Sequence, residues 1–323
     1  MAHDVTTGVP ASPSAPAGGG AGARAEGTPG RGRRGGHWTA WAFLAPIVIY
    51  LLAFYAYPLY RNLDLSLRHY TVRSFVQGDA PFSGFDNYRD VFADPAFGPA
   101  LLHTLTFTVV SIAFQFAIGL ALAVFFAQNF RLSATLRALF LVPWLLPLIV
   151  SASTWTWMLN SDSGIVNHAL ELIHVDPVNW LTSPDWALTS VIIANVWIGI
   201  PFNLVVLYSG LQAIPAEVHE AASIDGANGW QRFWRVTFPL LRPVSAITLL
   251  LGLVYTLKVF DLIWIMTKGG PADASITFAT WSYRFSFGSL LPEFGPGAAV
   301  GNLLIVMALF FGLLYIRFQR RQA

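Results

Sequence analysis

Ile214-Pro215-Ala216-Glu217-Val218-His219-Glu220-Ala221-Ala222-Ser223-Ile224-Asp225-Gly226 is a charged island with apolar sequence on both sides. Pro215 suits the first turn of a helix, where its missing N–H loses no partner. Glu217 places negative charge near the helix N-terminus, where the dipole favours it. Gly226 suits the left-handed position that ends a helix, whereas Asp225 at that end runs against the dipole. The pattern predicts a helix of about three turns, with Ala221 and Ala222 leaving one side open to close approach. Upstream, residues 186–216 contain no Asp, Glu, Lys or Arg; downstream, 243–257 contain none before Lys258 and Asp261.

Working outward, four more runs lack charge altogether: 38–60, 95–130, 138–161 and 294–316. About 20 apolar residues at roughly 1.5 Å each cross a hydrocarbon core of about 30 Å. One such run could be a buried core helix; six in one chain are not. Composition agrees, with 55% hydrophobic and 11% charged residues and a mean hydropathy of +0.55, where soluble domains carry roughly 25% charge. The expectation is an all-α integral membrane protein with six transmembrane helices, near 40–60, 101–128, 138–159, 187–210, 243–266 and 295–316. Cysteine is absent, which excludes a disulfide scaffold and thiolate metal sites. A net charge of +2 gives no reason to expect nucleic acid as a partner.

Residues 1–37 are dominated by Gly, Ala and Pro, and the chain has no aromatic residue before Trp38. Such a segment cannot bury enough apolar surface to offset its ordering entropy, so it is expected to be a disordered tail. Arg24, Arg31, Arg33 and Arg34 precede the first span and mark that side as cytoplasmic. Arg131, Arg137, Arg232, Arg235, Arg242, Arg317, Arg320 and Arg321 then also fall inside, while the outer loop around 162–185 carries acids and no Lys or Arg. Both termini are therefore expected in the cytoplasm, with 319–323 a short tail and the whole domain at 38–318.

Beyond Gly226 a second short helix is expected in the cytoplasmic loop at 211–242. Asn228 suits its cap, and Trp230, Phe233 and Trp234 form one apolar stripe at i, i+3 and i+4. Arg232 and Arg235 lie three apart, able to meet headgroups or an acidic partner. Pro239 and Pro243 flank the start of the fifth span. Pro143 and Pro147 interrupt the third, and Gly297 with Gly301 forms a GxxxG pair in the sixth.

These residues carry a resemblance. Glu220-Ala221-Ala222, three residues, Gly226, nine residues, then Val236-Thr237-Phe238-Pro239 resembles the EAA loop of bacterial ABC-importer permeases. Gly84-Phe85-Asp86-Asn87-Tyr88, Phe140-Leu141-Val142-Pro143-Trp144, and Phe260-Asp261 with Gly269-Gly270-Pro271 extend the likeness to the carbohydrate branch of that family. The chain looks like the first permease subunit of maltose- or glycerol-phosphate-type systems. Val236 and Phe238 depart conservatively from the family's Ile-x-Leu-Pro; His103 and Lys258 stand where Asn is frequent. The resemblance implies the type I importer permease fold and a plasma-membrane location. It implies four kinds of partner: a second homologous permease, a cytoplasmic ABC ATPase dimer, an extracellular solute-binding lipoprotein and a carbohydrate. ATP and Mg would belong to the ATPase, leaving no cofactor on this chain. Glu220, Ala221, Ala222, Asp225, Gly226, Arg232 and Pro239 would couple to the ATPase.

Other residues are candidates on their own chemistry. Lys258 and Asp261 are the only charges within a span, three apart and expected on one helix face, as an ion pair or on the solute path. Asn195, Asn203, Tyr208 and Tyr255 are uncharged polar groups suited to a sugar path or to helix–helix hydrogen bonds. Trp155 and Trp157 suit the interfacial belt. No Gly-rich phosphate loop with a following Lys-Ser/Thr is present, so the chain is expected to be non-catalytic. An ion-coupled secondary transporter would usually carry intramembrane carboxylates, of which only Asp261 qualifies. A polytopic transferase would need clustered acids or His, which the sequence lacks.

Overall fold

The computed structural model describes residues 36–128 and 130–319. The tail expected over 1–37 therefore lies almost wholly outside the described residues, as do 320–323. The described chain is helical, with only two isolated β-bridges, Arg68–Phe82 and Thr71–Glu293. It divides into two compact units, Met1–Ala53 and Phe54–Ala323. The first contains α1 (Gly36–Leu51). The second contains α2 (Tyr57–Ser66), α3 (Val72–Gln77), α4 (Asp86–Ala93), α5 (Phe97–Phe126), α6 (Ser133–Phe140), α7 (Val142–Leu145), α8 (Leu148–Met158), α9 (Ile165–Glu171) and α10 (Pro184–Gln212). After these come α11 (Ala216–Ile224), α12 (Gly229–Arg232), α13 (Phe238–Leu257), α14 (Asp261–Met266), α15 (Phe278–Phe287) and α16 (Phe294–Gln319).

Five helices among the described residues are long and apolar enough to cross a bilayer: Trp41–Ser66, Phe97–Phe126, Pro184–Gln212, Gly229–Leu257 and Phe294–Arg317. A sixth crossing exists only if the broken pair Ser133–Leu145 and Leu148–Met158 is one span, and it bends by 95°. The third span expected at 138–159, with Pro143 and Pro147 inside it, is therefore broken rather than continuous. Pro147 is the cause: it lacks an N–H to bond backwards, and its ring drives Leu146 out of the helical region, to φ −74° and ψ 140°.

The fifth span departs from expectation at both ends. At its start the expected short helix, α12, does not end before the span but runs on through a π turn at Phe233–Thr237, so that Gly229–Leu257 is continuous. Pro239 cannot donate to the carbonyl four residues back, and the wider turn, in which the N–H of Phe238 donates to the carbonyl of Phe233, absorbs the mismatch. At the other end α13 stops at Leu257, Lys258 caps it, and Asp261 opens α14. Lys258 and Asp261 therefore do not share one helix face. No ion pair joins them among the described residues, and the Lys258 ammonium instead lies 5.1 Å from the centre of the Tyr255 ring.

α5 organises the second unit. Its Phe107 joins Ala152, Val191 and Leu262 in one buried cluster. Ala100 joins Val91, Trp281 and Val300 in another. Ala123 and Phe126 join Leu204, Leu207 and Leu241 in a third. α5 approaches α10 closely at Gly119, where an added Cβ would lie 2.5 Å from the Cβ of Asn203. The GxxxG pair of α16 serves α15: the Ser282 hydroxyl donates to the Gly297 carbonyl at 2.7 Å. Asn87 of the GFDNY motif is buried and donates to the carbonyls of Ser66 and Arg68, both at 2.9 Å. Asp64 accepts from Arg68 Nε at 2.8 Å, a hydrogen bond that raises the guanidinium pKa above its ordinary value.

Candidate functional site

Two places gather the chemistry: the 213–237 hairpin and a cleft among α5, α10, α13 and the broken span. In the hairpin, Pro215 stands at the N-cap of α11 rather than inside its first turn. Asp225 caps the other end, and Gly226 follows at φ +80°, where a Cβ would meet nothing within 4 Å. The N–H of Ala227 closes the turn on the carbonyl of Ala222 at 3.0 Å. Glycine is needed here for its backbone, since the surrounding space is open.

Asn228 caps α12 as its residue type suggests, in a reciprocal box with Gln231. Arg232 also has a partner within the hairpin. Its Nη1 donates to Ser223 Oγ at 2.8 Å, and Ser223 Oγ donates to the His219 carbonyl at 2.8 Å. The last turn of α11 is thereby braced to the helix that becomes the fifth span. Trp230, Phe233, Trp234 and Phe238 pack ring on ring at 5.2–6.1 Å. The face left open carries Glu217, Glu220, Ala221, Ile224 and Asp225, all exposed, with Ile224 at 86%. Ala222 and His219 are half-buried on the opposite side.

The cleft has a volume of about 300 Å³. Gln115, Asn195, Tyr255 and Thr256 supply its polar groups; Trp144, Phe202, Ile198 and Leu148 supply apolar wall. Phe202 links two walls, with its ring 6.2 Å from Trp144 and 6.0 Å from Tyr255. Gln115 Nε2 donates to the backbone carbonyl of Asn195 at 2.9 Å. Its side chain lies over Gly199, where a Cβ would collide with it. Asn195 is 6% exposed, and its Nδ2 has no hydrogen-bond partner. Trp144 and Leu148 sit on either side of the break at Leu146–Pro147, so irregular backbone borders the cavity. Such backbone is tolerated at membrane depth where it is buried in protein or lines a cavity.

Of the polar path candidates, Asn195 and Tyr255 meet in this cleft, whereas Asn203, Tyr208, Lys258 and Asp261 are not part of its lining. Asn203 is buried and donates to the Gly199 carbonyl at 2.9 Å. Tyr208 lies under the Arg137 guanidinium, 4.2 Å from its ring centre. Lys258 and Asp261 are exposed. Trp155 packs on Trp197 at 5.9 Å, and Trp157 is exposed. Sequence reasoning passes over Gln115, although an amide in the middle of the charge-free run 95–130 is a usable signal.

Residues 115–323 match the family described as binding-protein-dependent transport system inner membrane component. A trehalose/maltose transport system permease protein of Thermococcus litoralis is 35% identical, over 86% of this chain and 92% of its own. A lactose transport system permease protein of Rhizobium radiobacter is 33% identical, over 83% and 89%. In three dimensions the chain superposes on a chain of a bacterial ABC transporter involved in import of the acidic polysaccharide alginate. The TM-score is 0.75 at 26% identity, covering 88% of this chain and 96% of that one. A bacterial alginate ABC transporter has also been seen in complex with an alginate pentasaccharide-bound periplasmic protein. These matches set aside the ion-coupled and transferase alternatives. The chain belongs to the binding-protein-dependent transport system inner membrane component family and is a membrane permease subunit.

Proposed function

We propose that the chain is the permease subunit of an ATP-driven sugar importer, in which it forms half of the translocation pathway beside a second, homologous permease. Its relatives' described substrates support the sugar, and the likeness to a transporter that engages a periplasmic protein supports delivery by an external binding protein. A cytoplasmic ABC ATPase dimer supplies ATP hydrolysis, with the termini and the 211–242 loop on its side of the membrane.

The observation that carries the coupling role is the outward face of α11. A short helix presents Glu220, Ala221, Ile224 and Asp225 to solvent on a base braced by Arg232 and Ser223. An apolar side chain at 86% exposure between carboxylates fits a complementary groove better than open water. Within this reading Gly226 makes the turn, Ala222 allows close packing behind α11, and Pro239 sets the π turn leading to the membrane. The cleft is the sugar path, with Asn195 and Tyr255 on its wall; Asn203, Tyr208, Lys258 and Asp261 act around it through packing or access. Alternating access requires one element that ATP and the loaded binding protein bias differently. The continuous helix Gly229–Leu257 joins the hairpin to Gly252, Tyr255 and Thr256 of the cleft.

The test is co-purification and ATP hydrolysis in lipid nanodiscs holding both permeases and the ATPase. Glu220→Ala together with Ile224→Ser should release the ATPase while the permease pair stays folded. Retained association with normal sugar-stimulated hydrolysis refutes the coupling role.

A further inference from the structure

Behind α11 a second cavity, of about 520 Å³, opens between the hairpin and the ends of α5 and α10. Gln128, Gln212, His219, Arg232 and Thr237 give it a polar lining that includes no Asp or Glu. A guanidinium has five N–H donors. One of those on Arg232 goes to Ser223 Oγ, and among the described residues no ion pair neutralises its charge. An apolar groove of about 590 Å³ adjoins this chamber and shares Val124, Gly229 and Phe233 with it. Phe116, Leu120 and Val124 recur every fourth residue along α5, Ala117 and Ala121 leave a trench beside them, and Trp230 and Trp234 form a facing wall. From Phe116 to Val124 the groove runs about 12 Å along the helix, most of the roughly 15 Å of hydrocarbon in one leaflet. Trp230, at 72% exposure, leaves a large apolar surface open there.

We infer that groove and chamber together bind one anionic phospholipid, its acyl chain along α5 and its phosphate against Arg232. On the reading that the 211–242 loop is cytoplasmic, this is a lipid of the inner leaflet. A phospholipid passes from hydrocarbon to anion over the same short distance in which the lining passes from apolar to cationic. A transmembrane helix laid in the groove would cover its apolar walls but bring no charge to Arg232. Indole rings beside basic side chains are also the composition that settles at a membrane–water boundary. The acids of α11 do not oppose this, because Glu217, Glu220 and Asp225 are on its open face, whereas Ala216 and His219 line the chamber. Phosphate and Ser223 use different donors of Arg232 and can be held together, so a bound lipid fastens the hairpin to the bilayer.

The probes are phosphatidylglycerol and phosphatidylcholine with a photoreactive group in the acyl chain, each at the same fraction in nanodiscs that hold the full chain, alone or in the assembled transporter. Labelled peptides are mapped by mass spectrometry. Labelling should fall on 116–124 and 230–238, with phosphatidylglycerol ahead by about fivefold, the worth of one basic residue at an anionic surface. Arg232→Gln should lower it to the phosphatidylcholine level, and Arg232→Lys should keep most of the preference. Ala121→Trp, which fills the trench from an exposed position, should remove both labels. Size exclusion checks each variant for intact folding. Equal labelling by the two lipids, a preference that survives Arg232→Gln, or no label in the groove overturns the inference. So does a groove labelled in the lone chain but not in the assembled transporter, which makes it a contact with another subunit. Inorganic phosphate that abolishes the preference where chloride of equal ionic strength does not makes the chamber a site for a soluble anion and overturns the lipid. Labelling is read without sugar or ATP, so its failure leaves the transport reading standing, and failure of ATPase coupling leaves the labelling of the lone chain unchanged.

Discussion

The hairpin and the cleft are opposite solutions to building a site from helices. The hairpin is held by contacts close in sequence: Arg232 to Ser223, Asn228 to Gln231, Ala227 to Ala222. The cleft is held by contacts between residues far apart, such as Gln115 with Asn195, Phe202 with Tyr255, and Gly119 with Asn203. A locally braced element can present side chains outwards without support from the rest of the fold. A cavity cannot, because its shape is the gap left when long helices are packed at one particular separation.

That difference predicts unequal sensitivity to substitution. Gly119→Leu should have the largest effect, since a side chain there meets the Cβ of Asn203 and must push α5 from α10. Overpacking of this kind costs about 1–3 kcal/mol or more, and a lowered unfolding temperature of the purified complex, with lost cleft binding, would show it. An unchanged unfolding temperature would mean the helices are not held at this separation. Next, Gly226→Ala should cost about 1–2 kcal/mol for a left-handed residue with a Cβ. Gly226→Asn should recover most of that, which amide hydrogen exchange across 216–232 would resolve. Equal protection in both variants would argue that the φ of +80° is not held in the membrane-bound protein. Smallest in stability is Arg232→Ala, since one exposed hydrogen bond is worth about 0.5–1 kcal/mol. Sugar moved per ATP hydrolysed should nevertheless fall severalfold while the ATPase stays bound. If the ATPase dissociates instead, Arg232 touches it directly and the brace is not its role.

Legibility in the sequence follows the same division. The five continuous spans, the place of α11 and the Asn228 cap rest on residue types a few positions apart, and hydropathy and capping rules read them directly. The break in the third span is half legible: Pro143 and Pro147 are visible, but only packing shows that Pro147 turns the chain by 95° whereas Pro143 sits quietly in the first turn of α7. The stop at Lys258 carries no Gly or Pro to announce it, so a charge pair on a single helix is the natural expectation. The cleft is least legible. Thr104, Thr108, Ser111, Gln115 and Gly119 mark a small and polar buried stripe along α5, but spacing alone does not tell which part of that stripe faces a cavity and which a neighbouring helix.

The uninterrupted helix from Gly229 to Leu257 has a mechanical corollary. Its 29 residues make a stiff pushrod about 43 Å long, with the aromatic knot of Trp230 and Trp234 at one end and the ring of Tyr255 near the other. A rotation of only about 5° pivoting near the lower end would carry the upper end through about 4 Å, by the same rise per residue. That displacement is about the spacing of two touching atoms, enough to strip one wall from the cavity. A motor acting on a knob two or three turns long could thus open or shut a chamber a bilayer's depth away, with the π turn at Phe233–Thr237 and Pro243 as the points where the rod can bend.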